Sequence, residues 1–201
     1  MKALVVNCTL KHGPAESNTE ALAGVVVEAL REAEIEVDTV RAVDRYLAPG
    51  VSSDEGGEDE WPRIHDQLLA AEILVIATPT WLGRPSSVAQ RVLERMDAMI
   101  SEVDDEGRPA AYNRVAGVVV TGNEDGAHHV ISEVSGALVD IGYTIPGQAW
   151  TYWNRGPGPG PDYSEENAGH EWSHETGRTA AANLVAVARA LAANPVPAPG
   201  S

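Results

Sequence analysis

The run Ile73-Leu74-Val75-Ile76-Ala77-Thr78-Pro79-Thr80-Trp81-Leu82-Gly83 sets five consecutive apolar residues ahead of a short polar turn holding Pro, an aromatic and Gly, with a helical pattern after it. An unbroken apolar run of this length is buried on both faces, the habit of a central parallel strand. Its polar end then marks the carboxyl edge, where open α/β sheets bind ligands. An indole placed there can stack on a flat ring, while turn amides released from strand pairing hydrogen-bond the ring's rim.

Working outward from this strand, residues 2–7, 35–40, 115–120 and 144–150 also read as strands, the last being shorter and weaker. Between them apolar residues recur at three–four spacing, as in Leu22, Val25, Val26, Ala29 and Leu30, in Val88, Val92, Met96 and Met99, and in Val130, Ile131, Val134, Ala137, Leu138 and Ile141. Each such helix offers one face to a sheet. Pro62 and Pro85 near the starts of 61–71 and 86–100, and Gly142 after the helix ending near Ile141, are helix punctuation of the expected kinds. Strand–helix alternation repeated this way predicts an α/β three-layer sandwich, because right-handed crossovers put helices on both faces. Five strands point to a parallel sheet of order 2-1-3-4-5. A last helix over about 173–193 packs through Ala180, Leu184, Val187, Ala188 and Leu191.

The length of 201 residues suits one domain, taken as 1–194, with a flexible tail at 195–201. Two insertions interrupt the alternation. Residues 46–60 are acidic and Gly-rich and read as a solvated loop, whereas 151–172 set Tyr152, Trp153, Tyr163 and Trp172 among Gly and Pro, where so long a loop is functional or mobile. The net charge of −16 excludes nucleic acid and anionic membrane as partners. No apolar stretch has membrane-spanning length, and the start at Met1 runs straight into a strand without a secretory cleavage pattern, so the expected location is the cytoplasm. The single cysteine, Cys8, can form no internal disulfide and cannot alone hold a cluster or zinc.

In the expected topology the turns after the first, third and fourth strands meet at one crevice. The first carries Thr9, Lys11 and then Ser17-Asn18-Thr19 at a helix start, where hydroxyls and unpaired amides can hold a phosphate. Ser17-Asn18-Thr19-Glu20 has equally the spacing of a capping box, which would satisfy the helix start internally. The third turn is Pro79-Thr80-Trp81-Leu82-Gly83, in which Trp81 could instead cover the sheet edge. The fourth holds Thr121, Gly122, Asn123, Gly126 and His128. Its glycines permit close backbone approach to a ligand. The pair His128-His129 lacks a third metal ligand at sensible spacing, so no metal is expected.

This combination resembles the NADPH-dependent FMN reductase family of flavodoxin-like flavoproteins over most of residues 1–150, through Thr9 with Ser17-Asn18-Thr19, Thr78 to Gly83, and Thr121-Gly122-Asn123 with Gly126. The resemblance implies FMN as cofactor. Its phosphate would sit in the first group, its ring and ribityl chain along the second, and the ring's other edge against the third. The first loop departs from the family's pattern, with residues 11–16 inserted among the polar positions. The cysteine cluster of the related iron–sulfur flavoproteins has no counterpart in 46–60.

The activity implied is transfer of hydride from NAD(P)H through FMN to a quinone, flavin or other small acceptor, with no protein group needed as a catalytic acid or base. Amides of Leu82-Gly83-Arg84 would hold the ring's pyrimidine edge. The helix start near Gly126-Ala127-His128 would favour the reduced ring by roughly 0.3–1 kcal/mol. A homodimer or homotetramer is expected. The acidic surface also fits a flavodoxin-type electron carrier that docks on basic partners, and a flavin-free binding protein on the same fold is a further alternative. A serine hydrolase is disfavoured, since the chain has no Gly-x-Ser-x-Gly elbow.

Overall fold

In the computed structural model, which describes residues 1–200, strands β1 (Lys2–Asn7), β2 (Glu36–Arg41), β3 (Ile73–Trp81), β5 (Val115–Gly122) and β6 (Trp150–Asn154) form one parallel sheet in the order β2-β1-β3-β5-β6. A two-residue strand, β4 (Arg84–Pro85), only folds back on the end of β3 as a hairpin, with Thr80 opposite Pro85. Once β4 is set aside, the five parallel strands follow the 2-1-3-4-5 order expected from the sequence. Register is continuous across the middle, with Val5 level with both Thr39 and Val75, and Val75 level with Gly117.

Strand side chains alternate between two cores. Leu4, Val6, Leu74, Ile76, Val118 and Val120 face helices α2 (Trp61–Ala70), α3 (Ser87–Met96) and α4 (Ala127–Ile141). Val5, Ile73, Val75, Val115 and Val119 face α1 (Asn18–Glu32) and α5 (His170–Ala193). The three–four apolar stripes therefore do what the sequence required of them.

The fifth parallel strand lies further along than 144–150. Thr144 makes only an isolated bridge with Val115, and the chain then turns, with Ala149 N–H bonded to the Pro146 carbonyl at 3.2 Å and Gln148 at φ 56°. Strand pairing starts at Trp150, opposite Val118. The helix placed at 173–193 starts earlier, at His170, so the irregular part of the aromatic insertion is the stretch between Asn154 and His170.

The acidic segment 46–60 is not simply a solvated loop. Arg95 on α3, 0 % exposed, reaches into it, with Nη2 2.7 Å from Asp59 Oδ2 and 2.9 Å from the Ser52 carbonyl, and Nη1 2.9 Å from the Ala48 carbonyl. Its guanidinium lies over the buried Trp61 ring at 5.5 Å. Burial alone would raise the Asp59 pKa. The bond from Arg95 and the amides of Glu55, Trp61 and Ala48 outweigh it and hold the carboxyl well below the usual carboxylate range.

Candidate functional site

The carboxyl ends of β1, β3 and β5 open into a cavity lined from the first loop by Thr9, Leu10, Lys11, Asn18 and Thr19. Pro79, Thr80 and Trp81 line it from the second loop, Thr121, Gly122 and Asn123 from the third, and Asp162 and Tyr163 from the aromatic insertion.

At the first loop, the Ser17 hydroxyl accepts from Glu20 N–H at 3.1 Å and caps α1. The Glu20 side chain does not complete the box. It pairs with Arg41, which also donates to the Ala15 carbonyl at 2.9 Å and so fastens the inserted residues 11–16. Asp44 holds the same insertion from the other side, accepting from Gly13 N–H at 3.0 Å. That bond, outweighing desolvation and helped by His12, lowers the Asp44 pKa. Ser17 is thus committed to the helix and does not line the cavity, while Asn18 and Thr19 in the first turn do. The opening amides of a helix have no acceptor within it.

The loops are tied to one another by buried hydroxyls. Thr19 Oγ1 and Thr121 Oγ1 are 2.8 Å apart, joining the first loop to the third. Ser86 caps α3 and donates to the Cys8 carbonyl at 2.7 Å while its amide bonds Thr78 Oγ1 at 3.1 Å, joining β1 to β3. Thr80 is different: its Oγ1 is buried in the cavity lining without a hydrogen-bond partner. A buried hydroxyl in that position is held ready for a ligand or water. Trp81, 55 % exposed, stands at the same wall.

Leu82, Gly83, Gly126 and His128, also expected at the site, lie outside the lining. Leu82 N–H is 2.6 Å from Glu124 Oε1, and Arg84 pairs with Glu133 on α4 at 2.7 Å, so the hairpin tip is bound to the turn before α4 and to the helix itself. Gly83 and Gly126 meet back to back. A Cβ on Gly126, whose φ is 106°, would fall 2.8 Å from Gly83 Cα. The His128 ring turns away to the edges of Trp150 and Tyr152, at 5.5 and 5.0 Å. Leu10, Asp162 and Tyr163 are lining residues that the sequence reading did not place at the site. The aromatic excess in 151–172 was the one signal for Asp162 and Tyr163, and for Leu10 it was its place between Thr9 and Lys11.

The family model described as NADPH-dependent FMN reductase matches residues 1–156 of this chain. The chain belongs to that family. The 8-demethyl-8-aminoriboflavin-5'-phosphate synthase of Streptomyces davaonensis is 35% identical over 97% of this chain and 80% of its own length. A crystal structure of RosB with the bound intermediate 8-demethyl-8-formylriboflavin-5'-phosphate superposes with a TM-score of 0.89 at 35% identity, covering 98% of this chain and 82% of that one. A Mycobacterium bovis protein named as the divalent metal cation transporter MntH is 41% identical over 96% of this chain, but the chain spans only 29% of that relative's length. No helix among the described residues is long and apolar enough to cross a membrane, and no group of three or more His, Cys, Asp or Glu there could hold a metal ion. An archaeal flavodoxin, at a TM-score of 0.61 and 11% identity, shares the fold over 94% of this chain.

Proposed function

We propose that the protein holds FMN in this cavity and acts as an NAD(P)H-dependent oxidoreductase on a small acceptor such as a quinone or a flavin. The observation that carries the reading is the convergence of the three sheet-edge loops on one cavity that contains a helix start, a lysine, an unpartnered buried hydroxyl and an exposed indole. These residues fit the parts of FMN in turn. Thr9, Lys11, Asn18 and Thr19 would take the phosphate, assisted by the helix dipole. Thr80 would hydrogen-bond the ligand from the second loop, with Trp81 beside the ring and the backbone at Thr121-Gly122-Asn123 along its other side.

FMN, when bound, would supply the hydride-transfer chemistry. The chain's own contribution is to orient the ring, shield one side of it and leave the other open for donor and acceptor by turns. None of the lining residues needs to move a proton for this. NAD(P)H use is supported by the family match.

One second reading has specific support: the 35% identical relative is named as the synthase of a modified flavin phosphate, so the flavin itself could be the substrate. A single experiment separates the readings. FMN-loaded protein is given NADPH and a quinone without oxygen in one arm and an amine donor in air in the other, and both NADPH oxidation and the mass of the recovered flavin are measured. We expect steady NADPH oxidation with FMN recovered unchanged. A flavin of altered mass would support the second reading, and FMN binding with neither change would support an electron carrier.

A further inference from the structure

The chain between β6 and α5 closes the cavity's remaining side. It is anchored by Tyr163, which is buried with its ring stacked on His170 at 4.0 Å and its hydroxyl 2.7 Å from His174 Nε2. From that anchor it reaches two of the cavity loops. Ser164 N–H donates to Asn18 Oδ1 at 3.2 Å, and Gly160 N–H donates to the Asn123 carbonyl at 2.9 Å. Asp162 lies between these ties and lines the cavity, with Oδ1 accepting from Asn123 Nδ2 at 3.3 Å.

An ionised carboxylate only accepts hydrogen bonds, and two donors, Asn123 Nδ2 and the Glu165 amide in the capping box of the turn Tyr163–Glu165, leave part of its acceptor capacity unused. Of the groups on a flavin phosphate, the phosphate oxygens are acceptors that would repel it, and the ring has a single donor, the N3–H of its pyrimidine edge, which is expected toward the Leu82-Gly83-Arg84 turn. The linking polyol carries several O–H donors. It must also run between the end of the cavity near Asn18 and the end near Asn123, the two residues that the Asp162 segment bridges. We propose that Asp162 is a specificity-determining residue that accepts hydrogen bonds from hydroxyls of the ligand's polyol chain, so that the site selects flavins bearing that chain. The assignment rests on the flavin reading above and goes beyond it, because it gives the aromatic insertion a part in ligand choice.

The test is fluorescence titration of the full-length apoprotein with FMN, riboflavin and lumiflavin, the last having the ring but no polyol. Asp162→Ala should weaken FMN and riboflavin by about tenfold and leave lumiflavin within about twofold of the parent value, the loss expected for a charge-assisted hydrogen bond. Asp162→Asn, which keeps one acceptor oxygen, should lose less than Asp162→Ala. Equal weakening of all three ligands would make Asp162 a structural wall or a partner of the ring's N–H, and either would overturn the assignment. So would Asp162→Asn binding FMN more tightly with riboflavin unchanged, since Asp162 would then be repelling phosphate. If the parent protein takes up no flavin at all, the flavin reading itself fails, an outcome distinct from either of these.

Discussion

Replacing Arg95 by Ala should lower the unfolding free energy by about 3–5 kcal/mol, because Asp59 would keep its charge in a site with 0 % exposure and lose its partner. Against a typical total of about 5–15 kcal/mol, that is a large fraction. The same change strips donors from the Ala48 and Ser52 carbonyls, so segment 46–60 should become the first site of limited proteolysis. Denaturant unfolding read by tryptophan fluorescence measures the loss, since Trp61 lies under the guanidinium. The pair also sets an acid limit. The Asp59 pKa is lowered in the folded state, so its stabilisation is complete above the unfolded-state value of about 3.9 and is lost as pH falls below it. Parent stability should therefore drop steeply below about pH 4, and the Arg95→Ala variant should show a shallower acid slope.

The second large effect is expected at Gly126. Gly126→Ala should cost about 2–4 kcal/mol, combining a left-handed conformation with a new contact against Gly83 backbone that no side-chain rotation can relieve. Because Gly83 follows Trp81 in the same hairpin, displacement there should also weaken FMN uptake, by about tenfold for each 1.4 kcal/mol transmitted. Gly136→Ala is the control. Gly136 lies within α4 with open space where its Cβ would be, so this change should stabilise by about 0.5–1 kcal/mol and leave FMN affinity unaltered. Thermal unfolding and FMN titration of the two variants, run together, check both statements.

Much of this architecture was legible because burial writes itself into sequence. The runs at Leu4–Val6, Ile73–Ala77 and Val118–Val120 can be apolar throughout only if both sheet faces are covered, and that alone selects a doubly wound sheet. The edge strand was harder. Trp150-Thr151-Tyr152-Trp153 alternates between faces, but Pro146, Gly147 and the Gly-Pro stretch after Arg155 draw attention to loops on either side.

The lining of the candidate cavity was legible where a residue's place is set by a strand end, as with Thr9, Thr80, Trp81 and Thr121. It was not legible where the role depends on which of two partners a side chain takes. Ser17 could equally cap a helix or meet a ligand, and the structure gives it to the helix. Gly83 and Gly126, distant in sequence, contact each other. Asp162 lies far along the chain from Asn18, and only the path of the aromatic insertion brings the two to one cavity. Buried polar networks such as Arg95 with Asp59 escape a reading that treats charge as surface.

The most direct measurement is a crystal structure of the protein grown with FMN. We expect the phosphate among Thr9, Lys11 and Thr19, the polyol beside Thr80, and the ring between Trp81 and the Thr121-Gly122-Asn123 backbone. FMN bound elsewhere, such as against Trp172, or the cavity remaining without FMN at saturating concentration, would contradict the account.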